Sequence, residues 1–284
     1  MIAFDTGLIA YADRYLLARA VSKDYANSLR ARVASFCRWA GDDVPIHVVN
    51  CELANEWLAE LAEGGMSAWS LSGYRGALLA VWKDAYQAGD NTCPPLRVRK
   101  ITKPRLVVEA YTHTEIRKLL AYAARLTNRH RDGNRASDFW QAAIHVAYCC
   151  GPRRGDLLAV EWRHVSPAGV LVFVQHKTNY QAMAKLSADA MKFAKRLKGS
   201  GKLLPWPYYD DWFSRKFSRI RDGAGITRGS FKWVRRSAGS YAEREERGSG
   251  AKLLGHRDES VFRRFYEDTN ITGGEPIEPP PLGP

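Results

Sequence analysis

Apolar positions recur at spacings of three and four through the first ninety residues, and each run closes on a polar cap or a glycine. Ser22 precedes a stripe of Tyr25, Leu29, Val33, Phe36 and Trp39 that ends at Gly41. Asn50 precedes Leu53, Trp57, Leu58 and Leu61, and a third stripe of Tyr74, Leu78, Val81, Trp82 and Ala85 runs from about Ser70 to Gly89. With LIAYADRYLLARA in front, the pattern predicts four amphipathic helices joined by short loops, a compact bundle. The second half opens on a capping box, Thr112 with Glu115, before Ile116, Leu119 and Leu120. A helix follows over DFWQAAIHVAYCC. The period then drops to two in GVLVFVQHKTNYQAMAKLS, which predicts a β-hairpin, and helical patterns resume as far as Asp268.

Between the halves, DNTCPPLRVRKITKPR has paired prolines and a Lys-Pro step and predicts an extended linker. It carries Arg97, Arg99, Lys100, Lys103 and Arg105 with no acid among them. The end of the chain, GGEPIEPPPLGP, is too rich in proline to pack as a helix. The expected organisation is a helical domain over 1–92, a basic linker over 93–106, a second domain over 107–270 and a Pro-rich tail over 271–284. The fold class expected is mainly α with one small β-hairpin.

Charge narrows the function. The 284 residues hold 43 Lys and Arg against 30 Asp and Glu, a formal charge of +13, which favours a polyanionic partner. No apolar run reaches the roughly 18 residues of a membrane span, and the first residues lack the basic start of a secretion signal. Five cysteines without a CxxC pair argue against a disulfide framework or a zinc site and fit a reducing cytoplasm. Cys149 and Cys150 read as small buried hydrophobes.

Four separated segments offer a cation or a proton carrier. CCGPRRGDLLAVEW turns at Gly151-Pro152 and sets Arg153 on a corner, with the Asp156 carboxylate three residues on to hold it. VQHKTNY carries Lys177 at the hairpin turn. FKWVRRS carries Lys232, Arg235 and Arg236 about one helical turn apart, a grouping that awaits an anion. LLGHRDESVFRRFYED carries His256 at a glycine turn and Tyr266 downstream. Each segment alone has a bland reading, as a surface ion pair, a solubilising lysine or a generic DNA-facing helix.

Together, and in this order, they resemble the boxes of the tyrosine recombinases, or phage integrases. CGPRRGDLLAVEW is similar to that family's Thr-Gly-Leu-Arg-x-x-Glu-Leu box, QHKT to its hairpin lysine, KWVRRS to its His-x-Leu-Arg-His box and LLGHRDESVFRRFY to its Leu-Gly-His box and nucleophile. The likeness covers about residues 106 to 268, and the first half more loosely resembles the family's core-binding domain. It implies a DNA-cutting and rejoining enzyme acting through a 3′-phosphotyrosyl link, without metal or other cofactor. The implied catalytic set is Arg153, Lys177, Lys232, Arg235, His256 and Tyr266, with Asp156 orienting Arg153. Arg97, Arg99, Lys100, Lys103 and Arg236 are the expected DNA contacts. The partners implied are double-stranded DNA and further copies of the chain, four in a synaptic complex, with the enzyme on cytoplasmic, nucleoid DNA and no membrane.

Three departures accompany the likeness. Pro152 replaces a usual leucine, Lys232 replaces a usual histidine, and Tyr266 lies ten residues after His256 where the family usually has nine. One residue turns a helix by about 100°, so Phe265 and Tyr266 cannot share a position on one helix. Either the loop HRDES is one residue longer, with Phe265 packing inward, or the site is inactive. The first is expected, because a phenyl ring cannot attack phosphorus. The alternatives that remain are a non-catalytic DNA-binding relative, a type IB topoisomerase-like enzyme and, more remotely, a helical adaptor for acidic proteins.

Overall fold

The computed structural model describes residues 6–199 and 201–273, which divide into two compact units between Arg105 and Leu106. Each is built around its own core.

The first unit is the four-helix bundle: α1 (Leu8–Leu17), α2 (Lys23–Ala40), α3 (Cys51–Glu63) and α4 (Ala68–Ala88). The caps sit where the polar residues promised. Ser22 Oγ accepts the Tyr25 N–H at 3.3 Å, and Asn50 Oδ1 accepts those of Glu52 and Leu53. The last helix starts slightly earlier than its apolar stripe, with Ser67 as cap. Tyr11, Phe36, Trp57 and Trp82 lose all solvent exposure and anchor the core, each contributing a few kcal/mol of apolar burial.

The chain after α4 is extended, as expected, yet it is pinned. Buried Asn91 donates to the carbonyls of Ile46 and Val49, and Trp82 Nε1 donates to Cys93 O. Asn55 brackets Arg97 and Arg99 through their backbone, Arg75 donates to Val98 O and Arg99 O, and Val98 is buried in the bundle core. The side chains of Arg97, Arg99, Lys100 and Lys103 remain exposed, with the Lys103 ammonium 5.0 Å from the Trp69 ring centre.

In the second unit α5 (His113–Ala124) and α6 (Ala136–Cys150) lead into α7 (Arg154–Ala159). The hairpin β1 (Val170–Gln175) and β2 (Tyr180–Lys185) is antiparallel, with Gln175 opposite Tyr180. Then come α8 (Ala188–Ala194), α9 (Asp210–Gly223), α10 (Phe231–Glu245), α11 (Ser249–Leu253), α12 (Glu259–Phe265) and α13 (Thr269–Thr272). The Thr112–Glu115 capping box forms at the start of α5. Cys150 is buried, Cys149 only partly. The core is aromatic, with Phe139, Trp140, Phe213, Phe217 and Phe231 in mutual edge and tilted contact.

Helix α10 runs through the middle of this unit, and residues Val234 to Ser240 are all buried. Its polar side chains clasp the chain ends. Ser237 Oγ accepts the Tyr111 N–H and lies 2.8 Å from Tyr111 O, while Ser240 Oγ accepts the Asp268 N–H and donates to Tyr266 O. Asp268 accepts in turn from Ala110 N–H. Ile271, the first residue of the expected tail, is buried in α13, and residues 274–284 of that tail lie outside the described residues. Among the described residues no helix is long and apolar enough to cross a membrane.

Candidate active site

Arg153, Lys177, Lys232, Arg235 and Tyr266 line one cleft of about 360 Å³ in the second unit, with Ser214 and Ser230 among its other walls. His256 stands behind it, its ring centre 4.6 Å from that of Tyr266. Six side chains from five separate elements or turns thus converge. A larger open groove of about 680 Å³ in the same unit is lined by His113, Tyr148 and Tyr241 but by none of these six. Tyr241 stacks on His113 there, 3.6 Å between ring centres.

Backbone carbonyls build the corner that holds Arg235. This arginine is only 3% exposed. Its Nη1 donates to Gly151 O, and its Nη2 donates to Leu254 O at 2.9 Å and meets His256 Nε2 at 3.1 Å. Gly151 caps α6 in the left-handed region at φ 53°, and a Cβ there would lie 2.3 Å from a Leu254 methyl. Only glycine both closes the helix and leaves room for that contact.

The bond to Arg235 also assigns the His256 tautomer. A guanidinium has only donors, so Nε2 must accept and, in the neutral ring, Nδ1 carries the proton. That Nδ1 is buried without a partner among the described residues. Burial, then the charges of Arg235 and Arg153, push the imidazole down to about 4, so His256 is neutral at physiological pH.

Tyr266 is not the last turn of a helix. Helix α12 closes at Phe265, and Tyr266 is the capping residue beyond it, with φ −132° and ψ −28°. Phe262, 1% exposed, is the side chain that anchors α12, against Ala251 and Leu254; Phe265 is only half-buried, beside Arg264, and does not fill the inward position expected of it. The Tyr266 ring centre is 5.0 Å from the Arg235 guanidinium and 5.4 Å from the Lys232 ammonium. Burial pushes its phenol up, but Arg235, Arg153 and Lys232 outweigh that and bring it below the usual tyrosine range. Burial likewise lowers Lys232, against the opposing pull of Tyr266.

Two expected roles take a different geometry. Asp156 is buried, but its Oδ1 accepts the His176 N–H at 3.0 Å and faces the His176 ring, while Arg153 donates to Gln175 Oε1. Its third position in α7 turns the carboxylate toward the hairpin, so it holds the turn beside Lys177 rather than Arg153. Arg236 is not a free DNA contact: it is 8% exposed and donates to Glu109 O at 3.0 Å. One residue past Arg235 is a 100° rotation on α10, which points it at the incoming chain. The basic residues of 97–103 belong to the first unit and are exposed. Among the described residues no group of three or more His, Cys, Asp or Glu could hold a metal ion.

No family model and no curated protein sequence matches this chain. Solved structures do. A lambda integrase fragment (75–356), a dimer bound to a COC′ core site, superposes with a TM-score of 0.76 at 19% identity, over 98% of this chain and 100% of that one. The chain shares the fold of lambda integrase. A lambda integrase tetramer bound to a Holliday junction gives a TM-score of 0.77 at 20% identity, over 96% of this chain and 81% of that one. The XerH site-specific recombinase bound to a palindromic difH substrate gives 0.70 at 14% identity, over 94% and 82%.

Proposed function

We propose that this protein is a tyrosine-type site-specific DNA recombinase that cuts and rejoins DNA through a 3′-phosphotyrosyl intermediate. The observation that carries the reading is Tyr266 inside a cleft walled by Arg153, Lys177, Lys232 and Arg235, cations that outweigh the burial of its phenol. The shared fold with DNA-bound integrases supports it.

A phosphodiester resists attack until charge on its non-bridging oxygens is compensated. Arg153 and Arg235 suit this, since both guanidinium groups border the cleft and stay charged at any working pH. Tyr266 Oη attacks phosphorus and its proton leaves to solvent, the developing phenolate being stabilised by Lys232 and Arg235 beside its ring. The P–O5′ bond breaks, and Lys177 on the hairpin turn protonates the leaving 5′-oxygen. The phosphotyrosine keeps the bond energy, so a 5′-hydroxyl from another strand reseals the DNA with the reverse proton movements and no ATP. The first unit and its basic segment, including Arg97, Arg99, Lys100 and Lys103, would hold the duplex as a core-binding domain. Exchange between two duplexes calls for four copies, on chromosomal or mobile-element DNA.

The test is covalent capture. Wild-type protein is incubated with a randomised duplex library nicked beside the candidate cleavage position, so that the short 5′-hydroxyl fragment diffuses away and the adduct is trapped. Detergent-stable protein–DNA that disappears in Tyr266→Phe supports the enzyme. Salt-sensitive binding with no adduct identifies a non-catalytic relative, and relaxation of a supercoiled plasmid by the monomer, without strand exchange, identifies a topoisomerase.

A further inference from the structure

Gln175 is the last residue of β1 and is 1% exposed. An amide buried at a strand end should be tied into its sheet, yet its side chain reaches out of the hairpin. Oε1 accepts from Arg153 Nη1 and from Thr178 Oγ1, the latter at 3.1 Å, and Nε2 donates to Leu254 O at 2.8 Å. Leu254 O is the same carbonyl that accepts from Arg235 Nη2. One amide therefore links the corner bearing Arg153, the turn bearing Lys177 and the loop that seats Arg235 and His256. Gly255 runs so close that a Cβ there would lie 2.5 Å from Gln175 Nε2.

The chemistry of the group matters. Among the described residues no carboxylate pairs with Arg153 within 4.0 Å. A carboxylate at position 175 would orient the guanidinium as well, but it would also cancel the charge meant for the phosphate. A carboxamide presents the same acceptor geometry with no net charge. It orients the cation and leaves it whole.

We infer that Gln175 is a positioning residue that aims Arg153 at the scissile phosphate while leaving its charge uncompensated, a role that rests on the recombinase reading. Two variants separate the parts. Gln175→Met keeps length and loses every hydrogen bond; Gln175→Glu keeps the acceptor for Arg153 and quenches its charge, and both lose the Nε2–H bond to Leu254 O. Both are assayed for adduct formation on the nicked duplex captured by wild-type protein, with melting temperature and duplex affinity measured in parallel. Each should form adduct about tenfold or more slowly than wild type at unchanged duplex affinity, short of the roughly 10²–10³-fold cost of losing a charge-stabilising donor outright. The discriminating substrate carries a methylphosphonate at the scissile position, which has no negative charge to neutralise. On it, both variants should approach the wild-type rate.

Adduct formation within about twofold of wild type by Gln175→Glu and Gln175→Met overturns the inference. So does an equal loss on phosphodiester and methylphosphonate, which marks a general structural defect. A loss erased by sulfur in the 5′-bridging position, a leaving group that needs no proton, assigns the effect to Lys177 and also overturns it. Should Gln175→Met melt early, Gln175→Glu carries the comparison alone. If wild-type protein forms no adduct on any duplex, the functional reading itself fails and this inference falls with it.

Discussion

Lowering the pH should destabilise this protein through His256, and the size of the effect follows from its surroundings. The imidazole lies against Arg235 and near Arg153, accepts a hydrogen bond at Nε2 and titrates at about 4 in the folded chain. In the unfolded chain an ordinary histidine titrates near 6.5. The unfolded state therefore binds more protons between these values, and stability present above about 6.5 is lost as pH falls toward 4. From pH 7 to pH 5 the unfolded ring becomes almost fully charged while the folded ring stays about nine-tenths neutral, which removes about 2 kcal/mol. The perturbation is His256→Gln, which retains an acceptor for Arg235 but does not titrate. Urea unfolding of both proteins at pH 7 and pH 5 should show wild type losing about 2 kcal/mol more than the variant. Other histidines, including buried His130, contribute to both proteins equally and cancel in the difference. Nitrogen-15 NMR of the ring should show an Nδ1–H tautomer titrating near 4. A midpoint near 6.5, or equal losses in the two proteins, would refute the account.

Gly151→Ala forces a Cβ onto Leu254 at positive φ and should cost about 1–3 kcal/mol in urea unfolding, while adduct formation falls because the Gly151 carbonyl seats Arg235. Phe262→Ala empties the small cluster under Tyr266 and should cost about 3–5 kcal/mol by the same measure. Arg236→Met should lower stability yet leave the salt dependence of DNA binding unchanged, whereas Lys103→Ala should reduce the slope of log affinity against log salt by about one. Thr112→Ala breaks the capping box of α5 and should cost about 1 kcal/mol by thermal melting.

What could be read from the chain alone was whatever local periodicity controls. Helix stripes, caps at Ser22, Asn50 and Thr112, and the period-two hairpin all depend on neighbours within a few residues, and they appear where expected. The convergence of Arg153, Lys177, Lys232, Arg235, His256 and Tyr266 was accessible only through the order of their boxes, since nothing local joins residues a hundred positions apart. The errors lie where side-chain direction decides. Asp156, three residues after Arg153, is aimed at the hairpin turn, and Arg236, one helical step past Arg235, is aimed at Glu109 and not at DNA. Gln175 went unnoticed because a glutamine on an alternating strand is ordinarily solvent-facing. Its burial is visible only once the loop after α11 lies over it. The backbone carbonyls of Gly151 and Leu254 carry no signature in residue type at all.

Where α12 stops has a mechanical consequence. A side chain inside a helix is geared to it: adding or removing one residue swings every later position around the axis. Tyr266 stands just past the final turn, its N–H still bonded to Phe262 O at 2.8 Å and its carbonyl accepting from Ser240 Oγ, so its backbone is held from both sides. The phenol is therefore placed by two backbone bonds, and a substitution that removed the Ser240 hydroxyl would shift it while Phe262 keeps the helix itself seated.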